Sequence, residues 1–127
     1  MARLTGHAPF LVVPDVGSAL AYYRDVLGFS VRHYALAPET NGTATRDDCT
    51  IFFNLGDRAL PNSEILPPDL FDVYLWTDDV RALSAEFRGR GAEIIHEPIE
   101  RPWGMLEIRV RDPNGYVLGF GEPLEAA

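Results

Sequence analysis

The chain has 127 residues, which is long enough for one compact domain with its own hydrophobic core. Its formal net charge of -8 and its pI near 4.7 argue against a nucleic-acid binder, which would carry a basic patch. The same charge would favour a cationic ligand, although most acidic chains use such a charge for solubility.

The longest apolar runs, such as Phe10 to Val13, are too short to cross a bilayer. The amino terminus also lacks the charged and then apolar pattern of a signal peptide. Cys49 is the only cysteine, which excludes an internal disulfide and a cysteine-based zinc site, and a buried, inert thiol is the favoured interpretation. These features predict a cytoplasmic protein.

A repeated segment divides the chain into two halves. Leu11 to Val16 (LVVPDV) is similar to Leu75 to Val80 (LWTDDV), and Asp79 follows Asp15 by 64 residues. In both copies an apolar strand leads through an acidic turn into an amphipathic helix that ends at a glycine.

The first helix is predicted from about Val16 to Leu27, because apolar residues recur there at helical spacing. Asp15 can cap the free amides at its start, and Gly28 follows as its stop. Strands are predicted at Phe29 to Leu36 and at Thr45 to Leu55, the second of them kinked or split.

The second helix is predicted from about Val80 to Arg90, capped by Asp79 and ended by Gly91. Three strands should follow it, at Glu93 to Glu97, Met105 to Arg111 and Tyr116 to Gly121. The segment DPNG between the last two strands is a strong hairpin turn.

The order of strand, helix and several strands, present twice, predicts an α+β domain. Each half-sheet should be covered by helix on one face and should curve around a cavity on the other. We expect a single domain with a first module at about 1–56, a linker at about 57–70 and a second module at about 71–122.

Two groups of residues resemble a known family. Asp15 to Phe29, ending in YYRDVLGF, resembles the first-module signature of the glyoxalase, bleomycin-resistance and extradiol-dioxygenase superfamily, also called vicinal oxygen chelate. Pro102 to Met105 (PWGM), followed by Arg111 to Gly115 (RDPNG), resembles the second-module signature of its bleomycin-resistance branch. The resemblance implies two tandem βαβββ modules that form a curved mixed-sheet groove with the helices outside. It also implies a homodimer with ligand sites made between two chains.

Many enzymes of this superfamily bind a divalent metal through histidine and glutamate from four strands. When the chain is aligned through its repeated segments, the two histidine positions fall on Ala8 and Asp72, and the glutamate of the last strand falls on Gly119. No carboxylate lies between Thr50 and Leu55, near the remaining position. Because a lone carboxylate does not hold a transition metal, we expect the site to be lost and no cofactor to be bound.

The histidines do not restore such a site. His7 is next to the first ligand position, but an offset of one residue turns its side chain to the opposite face unless a bulge intervenes. His33 and His96 are expected to be surface or half-buried residues. No nucleophile-histidine-acid triad can be assigned, and a glycine-rich phosphate loop is absent.

The concave face is predicted to be aromatic. By strand alternation Phe10, Tyr74 and Trp76 should project there, Phe52 can join them, and Trp103 lies in the loop that enters the next strand. We favour core positions for Phe10 and Phe52. For Tyr74, Trp76 and Trp103, stacking on a ligand and packing in the core stay open as alternatives.

Alternation also predicts two charged residues on this face. Leu106, Ile108 and Val110 should pack under the helices, so Glu107 and Arg109 should face the concave side. The pair could anchor a polar ligand, or it could be neutralised internally or by a partner chain.

The sequence therefore predicts a metal-free protein that sequesters a hydrophobic or aromatic small molecule without making or breaking a bond, with no nucleic-acid or membrane partner; the resemblance implies that it is a homodimer. Asp72 and Glu107, if unpaired, would suit a cationic ligand such as a bleomycin-type glycopeptide. A divalent-metal-dependent lyase, isomerase or dioxygenase of the same superfamily is the alternative, and a diverged domain acting only through its dimer surface is another. The predicted ligand-binding residues are Asp72, Tyr74, Trp76, Trp103, Glu107 and Arg109.

Overall fold

The computed structural model describes residues 1–34, 39–66 and 70–125. The first module contains one helix and four strands, which are β1 (Phe10–Val13), α1 (Val16–Asp25), β2 (Ser30–His33), β3 (Asn41–Arg46) and β4 (Cys49–Leu55). A short 3-10 helix at Asn62–Glu64 lies between the modules. The second module contains β5 (Val73–Trp76), α2 (Val80–Gly89), β6 (Glu93–Ile94), β7 (Ile99–Arg101), β8 (Met105–Arg111) and β9 (Val117–Pro123).

The two modules form two sheets of matching topology. The first sheet has the order β1-β4-β3-β2, and the second has the order β5-β9-β8-β6 with β7 also paired to β8. In each sheet the first strand of the module lies parallel to its last strand, while the other neighbours are antiparallel. The predicted α+β fold with a repeated module is confirmed.

Both helices begin at the predicted aspartate caps. The Asp15 side chain accepts a hydrogen bond from the Ser18 amide at 3.0 Å, and the Asp79 side chain accepts one from the Ala82 amide at 2.9 Å. Each bond satisfies an amide that has no partner within its helix, which is why an acidic residue starts each helix. No helix within the described ranges has both the length and the apolar character needed to cross a membrane.

The helices end one or two residues before the predicted positions, at Asp25 and Gly89. Gly28 has φ 76° and Gly91 has φ 86°, so both adopt the left-handed conformation that reverses the chain after a helix. The glycines therefore stop the helices as predicted, and the last turn before each of them is not regular.

The predicted strand from Thr45 to Leu55 is split into the β3–β4 hairpin. The turn lies at Asp47, whose φ of 51° is in the left-handed region that aspartate tolerates better than most residues. β2 covers only Ser30–His33 of the strand predicted at Phe29 to Leu36, and residues 35 and 36 lie outside the described part of the chain.

In the second module β8 spans the predicted residues, Met105–Arg111. The strand predicted at Glu93 to Glu97 is shortened to β6, and β7 (Ile99–Arg101) was not predicted. β7 lies between Pro98 and Pro102 and is only three residues long, so it shows no alternation that a sequence pattern could reveal.

The core is one cluster that draws buried residues from both modules. Leu106, Ile108 and Val110 belong to it, as alternation along β8 predicted. The buried Tyr23 hydroxyl donates a 2.7 Å hydrogen bond to Asp112, which joins α1 to the turn between β8 and β9. This core occupies most of the helix side of the sheets, and a ligand has to be sought on the other face or at the module boundary.

Candidate functional site

The face of the second sheet that is turned away from the helices carries three large aromatic side chains. Tyr74 and Trp76 project from β5, with ring centroids 5.2 Å apart, and Trp103 comes from the loop before β8. Trp76 is 67% exposed and Trp103 is 54% exposed, whereas Tyr74 is half-buried. We call these three residues the aromatic platform.

Two glycines of β9 form the floor beneath Tyr74. Gly119 lies opposite Tyr74 in the pairing of β5 with β9, and Gly121 lies opposite Trp76. A Cβ atom at Gly119 would be 2.9 Å from the Tyr74 ring, and one at Gly121 would overlap the Tyr74 hydroxyl oxygen. The tyrosine ring can therefore lie across β9 only because both positions lack a side chain.

Glu107 is the residue that the Tyr74 hydroxyl reaches across this floor. Its side chain is fully buried, and Oε2 accepts hydrogen bonds from the Tyr74 hydroxyl at 3.0 Å and from Trp103 Nε1 at 3.2 Å. The other oxygen, Oε1, accepts a 3.0 Å bond from Arg109 Nε and lies 3.5 Å from Arg101 Nε. Glu107 thus faces the concave side as predicted, and its two oxygens are engaged by four side chains.

The buried carboxylate changes the ionisation of Tyr74. Loss of hydration on burial raises the pKa of Tyr74 to about 12, and the hydrogen bond to Glu107 and its negative charge act in the same direction. The phenol therefore keeps its proton over a wider pH range than an ordinary tyrosine, and the hydrogen bond that it donates to Glu107 fixes the orientation of the ring.

Two guanidinium groups pack on aromatic rings at the edge of the platform. Arg101 lies 5.8 Å from the centroid of the Trp103 ring, and Arg109 lies 4.9 Å from that of Phe71. Arg101 was not a predicted site residue, and the missed strand β7 is the reason. The Nη2 atom of Arg101 lies 3.1 Å from His96 Nε2.

The structure places Asp72 away from these interactions. Its two carboxylate oxygens accept hydrogen bonds from backbone amides, at 2.7 Å from Asn62 and at 2.9 Å from Val117. Asp72 therefore fastens the segment between the modules to the start of β9. The condition on which we expected a cationic ligand, that Asp72 and Glu107 are unpaired, is not met.

The first sheet carries a second exposed aromatic pair. Phe10 stacks on Phe52 with ring centroids 4.6 Å apart, and the two residues are opposite each other in the pairing of β1 with β4. The prediction of a core position is wrong for Phe10, which is 62% exposed, while Phe52 is half-buried. Leu11 and Val13 alternate with Phe10 and fill the core instead, which leaves Phe10 on the outward face of this edge strand.

The residues at the predicted metal-ligand positions do not fit a metal ion. Ala8 has no ligating atom, Asp72 is bound to two amides, and Gly119 lies directly under the Tyr74 ring. His7 and His33 are exposed, and His96 is half-buried. Across the described ranges, no three or more histidine, cysteine, aspartate or glutamate residues come together in a group that could hold a metal ion.

Comparison with solved structures identifies proteins of the same fold. A bleomycin-binding protein from Streptomyces verticillus, complexed with copper(II)-bleomycin, is 21% identical over 96% of this chain and 98% of its own, with a TM-score of 0.76. A bleomycin resistance determinant encoded on the transposon Tn5 is 20% identical over 94% of this chain and 98% of its own, with a TM-score of 0.74. A glyoxalase-related enzyme from Clostridium phytofermentans is 16% identical over 97% and 98%, with a TM-score of 0.78.

No curated protein matches the chain. The family model described as Glyoxalase/Bleomycin resistance protein/Dioxygenase superfamily matches residues 5–120, which is nearly the whole chain. The family recognised from the two sequence motifs is thereby confirmed. The chain belongs to the glyoxalase, bleomycin resistance protein and dioxygenase superfamily.

Proposed function

We propose that this chain is a metal-free binding protein that sequesters an aromatic small molecule on the aromatic platform, without making or breaking a bond. The observation that carries the proposal is the exposure of Trp76 (67%) and Trp103 (54%) on the same face as a tyrosine that is held in place by Glu107. Flat aromatic side chains stack on planar ligands, and such pairs add about 0.5–1.5 kcal/mol beyond the burial of their area.

The hydrogen bonds to Glu107 support this role because they organise the platform before a ligand arrives. Tyr74 and Trp103 both donate to the same carboxylate oxygen, Oε2, although they come from different elements. A side chain that is already fixed loses little conformational entropy on binding, which leaves more of the stacking energy for affinity. In this proposal Glu107 positions the aromatic rings and does not contact the ligand.

A cationic ligand is favoured by the overall charge of the chain and not by the carboxylates near the platform. Asp72 and Glu107 are both paired, so what remains in favour of a cationic ligand is the formal net charge of -8. Two proteins with this fold bind, or are named for resistance to, bleomycin. Bleomycin is therefore the first ligand to test.

A homodimer is part of the proposal. Phe10, Trp76 and Trp103 leave apolar surface uncovered on the outward faces of both sheets, and large exposed apolar patches are typical of interfaces and binding grooves. Two copies that bring such faces together would enclose a groove. Sedimentation at micromolar concentration should give twice the chain mass of 14.1 kDa. A cytoplasmic location, expected from the sequence, stays a prediction.

The binding test is a calorimetric titration with metal-free bleomycin in the presence and absence of EDTA. We expect saturable binding that the chelator does not change. Trp76→Ala and Trp103→Ala should each weaken it by about two- to tenfold, the equivalent of one lost stacking contact. Leu60→Ala removes an exposed apolar side chain outside the platform and should leave the affinity unchanged.

Other outcomes would favour the alternatives. One tightly held metal per chain in elemental analysis, with binding lost on chelation, would replace this proposal by a metal-dependent lyase, isomerase or dioxygenase. A well-formed dimer that binds neither bleomycin nor other planar aromatic compounds would indicate a domain that acts only through its dimer surface.

A further inference from the structure

A cavity of about 310 Å³ opens at the boundary between the two modules, on the helix side of the sheets. Its floor is apolar and consists of Leu75, Phe87 and Phe120 from the second module with Phe29 from the first, all of them buried. Phe87 and Phe120 meet edge to face, with ring centroids 5.2 Å apart. Trp76 lines the cavity as well and is the one platform residue that does so.

The size of this cavity is unusual for a gap in a core. Protein interiors rarely contain voids larger than a water molecule, whereas ligand sites usually have volumes of about 300 Å³ or more with mostly apolar walls. A floor of three phenylalanines and a leucine offers water few hydrogen bonds, so the cavity suits an apolar group better than it suits solvent.

The rim of the cavity is acidic. Asp47 and Asp48 come from the β3–β4 turn, and Asp78 precedes α2; all three are exposed. In the part of the chain that the structure describes, none of the three forms an ion pair.

The cation at this rim, Arg46, is already paired. Its guanidinium makes two hydrogen bonds to Glu86, at 2.7 and 2.9 Å, and a third to the Leu27 carbonyl oxygen at 2.8 Å. Burial raises the pKa of the Cys49 thiol, which also lines the cavity, and the negative charges of Asp48 and Asp47 raise it further. Among the residues that line the cavity, five carboxylates stand against one guanidinium, so its mouth carries a net negative charge.

We propose that this inter-module cavity, which adjoins the aromatic platform at Trp76, is a second binding site for a small hydrophobic ammonium compound. The apolar part of such a compound lies against Leu75, Phe87 and Phe120. Its cationic group stays at the solvent-exposed mouth, among the carboxylates of Asp47, Asp48 and Asp78.

The test is an NMR titration of the whole isotope-labelled chain with three probes of one shape. The probes are 3-phenylpropylammonium, the neutral alcohol 3-phenylpropan-1-ol and the anion 3-phenylpropanoate. We expect saturable shifts at the backbone amides of Leu75, Leu83 and Phe87, with the ammonium compound bound at least about threefold more tightly than the alcohol, the size of an exposed ion pair. The anion should bind more weakly than both.

The preference for the ammonium compound over the alcohol is tested with two triple variants, each of which removes three negative charges. The variant Asp47→Asn, Asp48→Asn, Asp78→Asn should bind the ammonium compound and the alcohol equally. The control Asp57→Asn, Glu100→Gln, Glu125→Gln removes three exposed carboxylates that do not line the cavity, and it should keep the preference.

Three results would overturn the proposal: no saturable shift at the cavity amides, equal affinity for the ammonium compound and the alcohol, or the same loss of preference in both triple variants. Shifts confined to the Trp103 indole and the Tyr74 ring would place the probes on the platform, which would reject this second site and leave the proposed function intact.

Discussion

The Tyr74 hydroxyl donates a hydrogen bond to Glu107 across an intervening strand. Tyr74 lies on β5 and Glu107 on β8, and β9 separates them in the sheet, yet their oxygens are 3.0 Å apart. The bond is possible because β9 presents glycine at both positions beneath the ring, Gly119 and Gly121. The arrangement of the aromatic platform thus depends on residues that have no side chain.

Gly121→Ala should disrupt this arrangement. The new methyl group would overlap the Tyr74 hydroxyl oxygen, so the ring has to move away and the bond to Glu107 is lost. We expect the free energy of unfolding to fall by about 1–3 kcal/mol in urea denaturation, as overpacking usually costs. Gly89→Ala is the matched control, because a Cβ there has no neighbour within 4 Å, and unchanged or slightly higher stability is expected. Equal stability of the two variants would contradict this description of the floor.

Glu107→Gln keeps the size of the side chain but turns one acceptor oxygen into a donor. Tyr74, Trp103 and Arg109 all donate hydrogen bonds to the Glu107 oxygens. In either orientation of the new amide, its nitrogen would face at least one of these donors, which would then have no acceptor. Leaving a buried polar group unsatisfied costs about 1–3 kcal/mol. We expect a loss of stability in this range, together with a red-shifted tryptophan emission as Trp103 is released. Wild-type emission and wild-type stability would show that Glu107 does not hold the platform.

The ionisation of Tyr74 should be visible in alkali. Its pKa is raised to about 12, so the folded chain keeps a proton that an ordinary tyrosine loses near pH 10. The stabilisation from this group is complete below pH 10 and is lost as the pH rises toward 12. A carbon NMR titration of the labelled Tyr74 ring measures the pKa directly. In Glu107→Gln it should be lower, since the negative charge that opposes ionisation is gone. An ordinary value in the wild-type chain would contradict the geometry.

Tyr23 and Asp112 provide a separate test in the core. Tyr23 is fully buried and its hydroxyl donates to Asp112 at 2.7 Å, so Tyr23→Phe should cost about 1–3 kcal/mol of unfolding free energy. Chemical denaturation measures the loss. Tyr22→Phe is the control, since Tyr22 is only partly buried and no hydrogen bond from its hydroxyl is present among the described residues.

Burial raises the pKa of the Asp112 carboxyl group, although hydrogen bonds from Tyr23 and from backbone amides oppose the shift. A raised pKa in the folded chain means that the contribution of this group to stability is greatest below its unfolded pKa of about 3.9 and declines as the pH rises through the folded value. The stability advantage of the wild-type chain over Asp112→Asn should therefore shrink from acid to neutral pH. An advantage that grows over this range would show that the carboxyl pKa is lowered instead.

Several features of the fold could be predicted because they depend on neighbouring residues. Asp15 and Asp79 were recognised as helix caps because each precedes a segment with apolar residues at helical spacing. Both side chains accept a hydrogen bond from a backbone amide in the first turn of the helix. Alternation along β8 correctly separated Ile108, which enters the core, from Glu107, which faces the other side.

The role of a side chain was harder to predict where its partner is distant in the sequence. Asp72 shares its predicted face with Tyr74, but its carboxylate oxygens accept hydrogen bonds from the backbone amides of Asn62 and Val117. Val117 is 45 residues away in the sequence. Phe10 was expected in the core because it is apolar, yet its strand is at the edge of the sheet and its side chain is 62% exposed. Whether an outward residue is covered depends on the neighbouring strands, and a periodic pattern contains no information about those.

The sequence by itself determined the repeated module, the starts of both helices, the inward face of β8 and, through two motifs, the superfamily. These are properties of local periodicity, capping and turn chemistry, which act over a few residues. Only the tertiary structure decided that Glu107 accepts hydrogen bonds from three side chains and pairs with Arg101, that Gly119 and Gly121 form a floor, and that a cavity remains between the modules. Those relations join residues from different strands. They depend on the order and register of the sheets, which is set by packing over the whole domain.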